Sequence, residues 1–355
     1  MAQPLKELIN PTSVGVLADG LAAAWAAFPR DRFVRTAGAG LDGLELKDRV
    51  RHVAGALGAT LPASFPEAAA IVRESTTLAR LDMWSGWPAT EYVAVHGLGH
   101  LDEGMRTLAT LTPYATGEFA VRPYLDLHRD DALRVMRGFA DSADEHLRRL
   151  ASEGSRPRLP WGARVRWLME HGTTLPILDH LRDDPSEYVR RSVANHVNDI
   201  TKDHPDLAVR TLARWRAEGG SHVEAVLRHA VRGLLRAGHA GALTLVGATP
   251  GQGSVRALTL SADQVAVGGH LRFTATVAAG AEGPLVLRYA VRREGSRRVF
   301  HLAERTATTP GQTFTLTKSH SFKPVTTRTE PPGPRLLEIM VNGTLRATAP
   351  FTLTS

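Results

Sequence analysis

The sequence contains no cysteine among its 355 residues. Disulfide frameworks, thiolate metal sites and cysteine nucleophiles are therefore excluded, and the composition suits a reducing cytoplasm. The chain also has no run of about 18 apolar residues that could cross a bilayer, and its N-terminus lacks the pattern of a secretion signal. We expect a cytoplasmic protein without a membrane partner.

Acidic residues become scarce toward the C-terminus. Residues 251–355 contain 13 basic and 6 acidic residues, so this segment carries the whole formal net charge of +7. A polyanionic partner such as a nucleic acid would explain the gradient. Arginine outnumbers lysine 38 to 5, so a biased genome and a solvated basic surface explain the charge equally well.

Apolar residues recur at helical spacing from Asn10 to about Gly247, in segments that Pro or Gly separates. This pattern predicts an almost wholly helical region. Its short connections make neighbouring helices antiparallel, as in a HEAT-like helical-repeat solenoid. The predicted helices cover residues 14–28, 45–58, 66–80, 117–127, 131–142, 160–170, 173–182, 185–202, 206–217 and 222–237.

The helix predicted at 185–202 has the clearest signals. Asp184 can cap it, Pro185 suits its first position, and Glu187 completes a capping box. An apolar stripe runs along one face, formed by Val189, Val193, Val197 and Ile200. The opposite face offers a row of hydrogen-bond donors, formed by Arg191, Asn195, Asn198 and Lys202, with Asp199 beside them. Asn has poor propensity in mid-helix, so this row favours a surface that binds phosphates over a merely solvated one.

After Thr249-Pro250-Gly251 the apolar pattern changes to alternation, which is typical of half-buried strands. Asn342-Gly343 is a strong hairpin signal. The number of short strands predicts an all-β immunoglobulin-like sandwich without the inter-sheet disulfide, spanning residues 250–355 after a helical domain of residues 1–249. The predicted strands cover residues 255–260, 271–277, 285–291, 298–304, 312–317, 335–341 and 344–353.

Two short motifs carry little weight. Gly38, Gly40 and Gly43 match a dinucleotide-binding pattern, but no strand precedes them and the segment reads as a loop between helices. His96 and His100 have the spacing of helical metal ligands, yet Gly residues lie between them. We expect partly exposed histidines at a helix end, and neither a metal nor a cofactor.

Two other residues have competing interpretations. Glu118 lies in an otherwise apolar helical start, where it is either a helix cap or a functional carboxylate. Trp161 is either a core residue or an aromatic contact for sugar or base, because cations surround it in the sequence. These cations are Arg148, Arg149, Arg156, Arg158 and Arg164.

Four segments together resemble the AlkC group of alkylpurine DNA glycosylases, in the superfamily of HEAT-like repeat proteins. They are residues 44–52, 118–123, 158–161 and 183–199. The last segment is long and specific, and the resemblance covers nearly the entire chain. Some members of this group have an immunoglobulin-like module after the helical repeats that helps to embrace DNA, which the basic, strand-patterned tail matches.

The resemblance implies base excision repair: removal of N3-methyladenine and N3-methylcytosine from double-stranded DNA without flipping the damaged nucleotide. It implies that Glu118 is a catalytic carboxylate, that Trp161 packs on the deoxyribose or lesion, and that Asp199 is a second carboxylate. It also implies DNA contacts, which are Arg149, Arg158, Arg190, Arg191, Asn195, Asn198 and Lys202. We expect a monomer that works at the nucleoid without a cofactor.

Two other functions stay open from the sequence. A helical-repeat solenoid can bind protein or undamaged nucleic acid without catalysis. A glycosylase of the same superfamily can also act on bulky or N7-alkylated purines, because a fold does not choose a substrate.

Overall fold

The computed structural model describes residues 4–170, 172–324 and 330–355. These residues form two compact units. The first unit runs to Asp203 and includes Gly219–Val226, and the second consists of His204–Glu218 and the described residues from Leu227 onward. Helices give way to strands between Leu245 and Ser254. The predicted domains, residues 1–249 and 250–355, meet at this change from helices to strands. These domain bounds stay a prediction.

The first unit is helical, as predicted. Neighbouring helices pack on one another: Leu46–Gly58 packs on Met83–His96, and Glu145–Gly154 packs on both Val121–Ala140 and Glu187–Ile200. Short 3-10 turns occur at Leu5–Leu8, Leu41–Gly43 and Arg166–Met169. Its helices are α1 Pro11–Ala24, α2 Arg30–Gly38, α3 Leu46–Gly58, α4 Phe65–Leu78, α5 Met83–His96, α6 Leu101–Leu111, α7 Val121–Ala140, α8 Glu145–Gly154, α9 Leu175–Leu181 and α10 Glu187–Ile200.

Helix α7 covers two predicted helices at once. Its backbone breaks at Arg129, where φ is 37°. This break lies between the two helices predicted at 117–127 and 131–142. Other predictions were wrong. The pattern did not predict α2, α5, α6 or α8, and the helix predicted at 160–170 consists of turns and the short 3-10 turn. The backbone of Trp161 has a φ of 64°, which interrupts a continuous helix at the start of this segment.

Helix α10 confirms its apolar stripe and corrects its predicted start. All four stripe residues are buried. The helix begins at Glu187 after Ser186, whose side chain makes no capping hydrogen bond. Asp184 lies outside the helix: its carboxylate accepts from the amide of Ser186 at 2.8 Å and from Arg148 at 2.7 Å. The predicted capping box is therefore wrong.

The two weak motifs have structural explanations. Gly38 ends α2 and Gly40 has a φ of 73°, so the glycines turn the chain between helices. His96 stacks on Tyr92, and His100 stacks on Phe65. Across the part of the chain that the structure describes, no group of three potential metal ligands occurs. Within the same residues, no helix is long and apolar enough to cross a membrane.

The second unit combines the last helices with a sandwich of two sheets. The helices are α11 Pro205–Glu218, the end of α12 Val223–Ala230, α13 Arg232–Ala237 and α14 Ala240–Leu245. The strands are β1 Ser254–Leu260, β2 Gln264–Ala266, β3 His270–Ala278, β4 Gly283–Arg293, β5 Ser296–Ala307, β6 Thr313–Ser321, β7 Gly333–Val341 and β8 Thr344–Thr354. One sheet has the strand order β1-β3-β6 and the other β2-β8-β7-β4-β5.

Alternating residues of the two sheets form the sandwich core, which includes Phe273, Leu287, Ile339 and Leu353. The predicted hairpin is confirmed, because Asn342 and Gly343 both have positive φ and join β7 to β8. Strand β2 was not predicted, since it has three residues at the edge of its sheet, where it pairs in parallel with β8. A helical region followed by a β-sandwich was the predicted fold class, and it is confirmed.

Candidate functional site

Glu118 lies in the turn before α7, with its side chain only 12% exposed. Its carboxylate accepts a hydrogen bond from the hydroxyl of Thr116 at 2.6 Å and forms an ion pair with Arg149. The residue before α7 is Ala120, and no side chain caps the helix. Glu118 is thus not a helix cap. Instead, Thr116 and Arg149 hold its carboxylate in place.

Asp199 is almost fully buried on α10. Its carboxylate accepts from the Arg156 guanidinium at 2.9 Å and lies 3.3 Å from the Lys202 ammonium. Lys202 is therefore a partner of Asp199, whereas Arg191, on the same helix, pairs with Glu187 at 2.7 Å. The main partner, Arg156, comes from beyond the end of α8 and could not be inferred from spacing along α10.

Glu153 connects the two predicted carboxylates. It lies 3.8 Å from Arg149, 2.6 Å from Arg156, and accepts from the Ser192 hydroxyl at 2.6 Å. Negative and positive side chains therefore alternate from Glu118 to Lys202, and the chain of contacts is Glu118, Arg149, Glu153, Arg156, Asp199 and Lys202. We call this chain of contacts the charge network. Sequence reasoning missed Glu153, although its i, i+4 spacing from Arg149 on α8 was a usable signal.

His196 lies on α10, three residues before Asp199, and is completely buried. One ring nitrogen lies 2.9 Å from the Ser152 carbonyl, and the other lies 2.9 Å from the Thr174 hydroxyl. A carbonyl can only accept, so the Nδ1 atom donates and the Nε2 atom accepts. Burial lowers the pKa of His196 to about 3. The ring is therefore neutral at physiological pH and adds no charge beside Asp199.

Trp161 is 62% exposed, so it is not a core residue. Its φ of 64° places a non-glycine residue in the left-handed region, which costs about 1 kcal/mol. A Cβ on Gly162 would approach the end of the Leu159 side chain to 2.8 Å, so a larger residue there would require that side chain to shift. The Lys47 ammonium donates a hydrogen bond to the Trp161 carbonyl. The turn thus presents an indole ring to solvent at the cost of backbone strain.

Arg122 anchors the segment around Trp161. It donates to the carbonyls of Gly154 and Arg156, each at 2.9 Å, and to that of Ala163. Burial lowers the pKa of this arginine to about 10, yet it stays charged at neutral pH. One buried guanidinium therefore links α7, which follows Glu118, to the chain on both sides of Trp161.

The predicted DNA contacts have varied surroundings. Arg158 pairs with Asp203 at 2.6 Å, and Arg190 donates to the carbonyls of Asp184 and Pro185. Arg191 is exposed and Lys202 is half exposed. Asn195 is partly buried and Asn198 is buried. The row on α10 is therefore not exposed along its whole length.

Tyr188, in the first turn of α10, extends this surface. Its ring centroid lies 5.2 Å from the Arg149 guanidinium and 5.7 Å from the His146 ring. Sequence reasoning missed Tyr188, although it lies within the segment 183–199 that carried the resemblance.

This chain is similar over its full length to a solved structure of the Pseudomonas fluorescens alkylpurine DNA glycosylase AlkC, bound to DNA containing an abasic site analog. The two are 32% identical with a TM-score of 0.90, over 99% of this chain and 100% of that chain. The chain belongs to the AlkC family.

Two further similarities agree with membership of the AlkC family. The uncharacterized protein YhaZ of Bacillus subtilis (strain 168) is 34% identical over 98% of both chains. Residues 254–355 match the family model described as the C-terminal Ig-like domain of the uncharacterised protein YhaZ. The predicted family and the immunoglobulin-like assignment of the sandwich are therefore confirmed.

Proposed function

We propose that this chain is a monofunctional DNA glycosylase that hydrolyses the N-glycosidic bond of cationic alkylated bases in duplex DNA. The proposed substrates are 3-methyladenine and 3-methylcytosine, and the pathway is base excision repair. The observation that carries the proposal is the full-length similarity to an alkylpurine DNA glycosylase bound to DNA with an abasic site analog. An abasic site is what remains when a base has been removed.

The chemistry of a cationic base favours a site built from carboxylates. Such a base departs as a neutral molecule and needs no general acid, so the enzyme must stabilise the oxocarbenium-like sugar and direct water. A carboxylate about 4 Å from that cation gains about 4 kcal/mol at an effective dielectric constant of about 20. This gain corresponds to roughly three decades of rate. Protein side chains and water suffice, so we propose no cofactor.

We assign the catalytic roles to three residues. Glu118 stabilises the sugar cation, Asp199 is the second carboxylate, and Trp161 packs on the deoxyribose or lesion. Phe119, next to Glu118, lies under the same Lys47 ammonium that binds the Trp161 carbonyl. This shared contact supports a common site for the two turns. An indole that is largely exposed suits a base that stays stacked in the duplex rather than one flipped into a deep pocket.

We propose that basic and amide side chains around the charge network bind the DNA backbone. They are Arg149, Arg158, Arg190, Arg191, Asn195, Asn198 and Lys202. Arg149, Arg158, Arg191 and Lys202 each pair with a carboxylate in the free protein. Of these four pairs, Arg191–Glu187 is the one that is exposed on both sides. Such an exposed pair is weak, so a phosphate can replace the Glu187 carboxylate. We also propose that the protein acts as a monomer on double-stranded DNA at the nucleoid.

Glu118→Gln tests the proposed function. We expect single-turnover release of methylated bases from alkylated duplex DNA to slow by up to about a thousandfold, while binding to the duplex is retained. Glu187→Gln is the matched control, because Glu187 is an exposed carboxylate of the same unit that pairs with Arg191. Its rate should equal that of the unmodified protein.

The unmodified protein also separates the alternatives. Release of 3-methyladenine and 3-methylcytosine supports the proposed substrates, whereas release of N7-alkylated or bulky purines alone would replace them. Binding to duplex DNA without release of any alkylated base would leave a binding module as the better interpretation.

A further inference from the structure

One lysine contacts both turns that carry proposed catalytic residues. Lys47 lies in the first turn of α3. Its ammonium donates to the carbonyl of Trp161 and lies 5.7 Å from the ring centroid of Phe119. Phe119 directly follows Glu118 and stacks on the Trp87 ring at 5.5 Å. Lys47 therefore joins three segments that are far apart in the sequence.

The Trp161 turn depends on contacts to its backbone, because an exposed indole ring cannot hold the turn in place. The indole is mostly exposed, and the backbone of Trp161 is in the left-handed region. Arg122 holds the Ala163 carbonyl, and the amide of Gly162 donates to Leu159 at 3.2 Å. These contacts fix the residues after Trp161. The carbonyl of Trp161 itself is bound by Lys47.

We infer that Lys47 is a positioning residue: it holds the strained Trp161 turn beside the Glu118 turn, so that the indole keeps the orientation needed at the lesion. The inference rests on the proposed function, in which Trp161 packs on the deoxyribose or base. Lys47 would act through Trp161 and need not touch the DNA.

A phosphate contact is the competing role for a surface lysine. Such a contact contributes to the salt dependence of DNA binding, with a slope of about 0.9 per phosphate. A positioning residue leaves that slope unchanged and alters the rate of base release instead. The two roles therefore differ in a measurable quantity.

The test compares Lys47→Met with Lys6→Met. Lys6 is a matched control, because it pairs at 2.7 Å with Glu45, the residue before α3, and lies in the same unit. We expect Lys47→Met to slow single-turnover base release by about 10- to 100-fold, because small misplacements of a site residue have effects of this order. Affinity for duplex DNA with an abasic site, and its salt slope, should match those of Lys6→Met.

A double-mutant cycle isolates the path through Trp161. In the Trp161→Ala background, Lys47→Met should slow base release no further, whereas Lys47→Arg alone should retain most of the rate because Arg can also donate to the carbonyl. Equal slowing in both backgrounds would overturn the inference. A salt slope lowered by about 0.9 would do the same, in favour of a phosphate contact.

Amide hydrogen exchange makes the test independent of activity. We expect faster exchange of residues 159–163 in Lys47→Met than in Lys6→Met, while the rest of the protein is unchanged. Unaltered exchange in this segment would overturn the inference even in an active protein. If the unmodified protein releases no base, the proposed function fails by itself, and the exchange result still decides whether Lys47 holds the turn.

Discussion

His196 shows how a titratable residue can serve a site without titrating near neutral pH. It lies three residues before Asp199 on α10, and its two hydrogen bonds tie that helix to Ser152 and Thr174. Because the ring is neutral and both nitrogens are satisfied, it fixes the position of the charge network without changing its charge. Gln is a neutral replacement that keeps some of the hydrogen bonding.

The buried ring predicts a dependence of stability on pH. The unfolded chain has a His pKa near 6.5, and the folded value is about 3, so the unfolded state binds more protons between these values. The free energy of unfolding should therefore fall as pH is lowered below about 6.5, by up to about 1.4 kcal/mol per pH unit. Urea unfolding at pH 7 and pH 5 measures this loss, since most carboxylates stay charged over that interval.

His196→Gln isolates the contribution of this ring. The variant should be less stable than the unmodified protein at pH 7, but the difference in stability between pH 7 and pH 5 should be smaller in the variant. If both proteins lose the same free energy between pH 7 and pH 5, the ring is not the source of the pH dependence.

At the scale of single residues, the roles of Glu118, Trp161 and Asp199 come from the resemblance to the AlkC group and stay predictions. The sequence left open whether Trp161 was buried and whether Glu118 capped a helix, because both depend on contacts with distant segments. The contacts of Arg122 and Lys47 with backbone carbonyls have no signature in sequence spacing.

Helix α10 carries different roles on different parts of its surface. Its valines are buried, Asp199 and Asn198 are also buried, and Arg191 is exposed. The helical period was therefore sufficient for the apolar stripe. It was insufficient for the polar face, because α8 packs on α10 and covers part of that face.

Two members of this polar row should respond differently to substitution. Arg191→Ala should lower the magnitude of the salt slope for duplex binding by about 0.9 and leave the free energy of unfolding nearly unchanged. Asn198→Ala should lower the free energy of unfolding instead, because Asn198 is buried and polar. Titrations of fluorescent duplex at several salt concentrations, with urea unfolding of each variant, measure both quantities. An unchanged slope for Arg191→Ala would remove it from the proposed DNA contacts.

The second compact unit begins before the point at which the hydrophobic pattern changes from helical to alternating. The second compact unit contains α11 and α13–α14 as well as the strands. Within it, the Asn342 side chain accepts from the Val286 amide at 2.8 Å and donates to the Thr249 carbonyl at 3.0 Å. Gly238 and Gly343 approach closely, since a Cβ on either would lie 2.8 Å from the carbonyl oxygen of the other. These contacts join the last helices to the β7–β8 hairpin.

A chain that ends at residue 249 should therefore be less resistant to proteolysis than the full chain. We expect its segment from 204 to 249 to be cleaved rapidly in limited proteolysis, because α13 would lose β5, on which it packs, and Gly238 would lose its close contact with Gly343. In the full chain the same segment should resist cleavage. Mass spectrometry of the fragments identifies the cut sites. Equal resistance in both chains would favour a domain boundary at residues 249 and 250.

The class of this protein follows from its sequence alone, because helical and alternating periods, the Asn342-Gly343 turn and the family segments are all local features. The chemistry available, including carboxylates, arginines and no thiols, also follows from the sequence. Tertiary structure decided which of these side chains meet. Glu118, Glu153 and Asp199 share one charge network only because α8 packs between α7 and α10. Trp161 stays exposed because contacts from Lys47 and Arg122 hold its backbone, and such long-range contacts follow from packing, which no local pattern encodes.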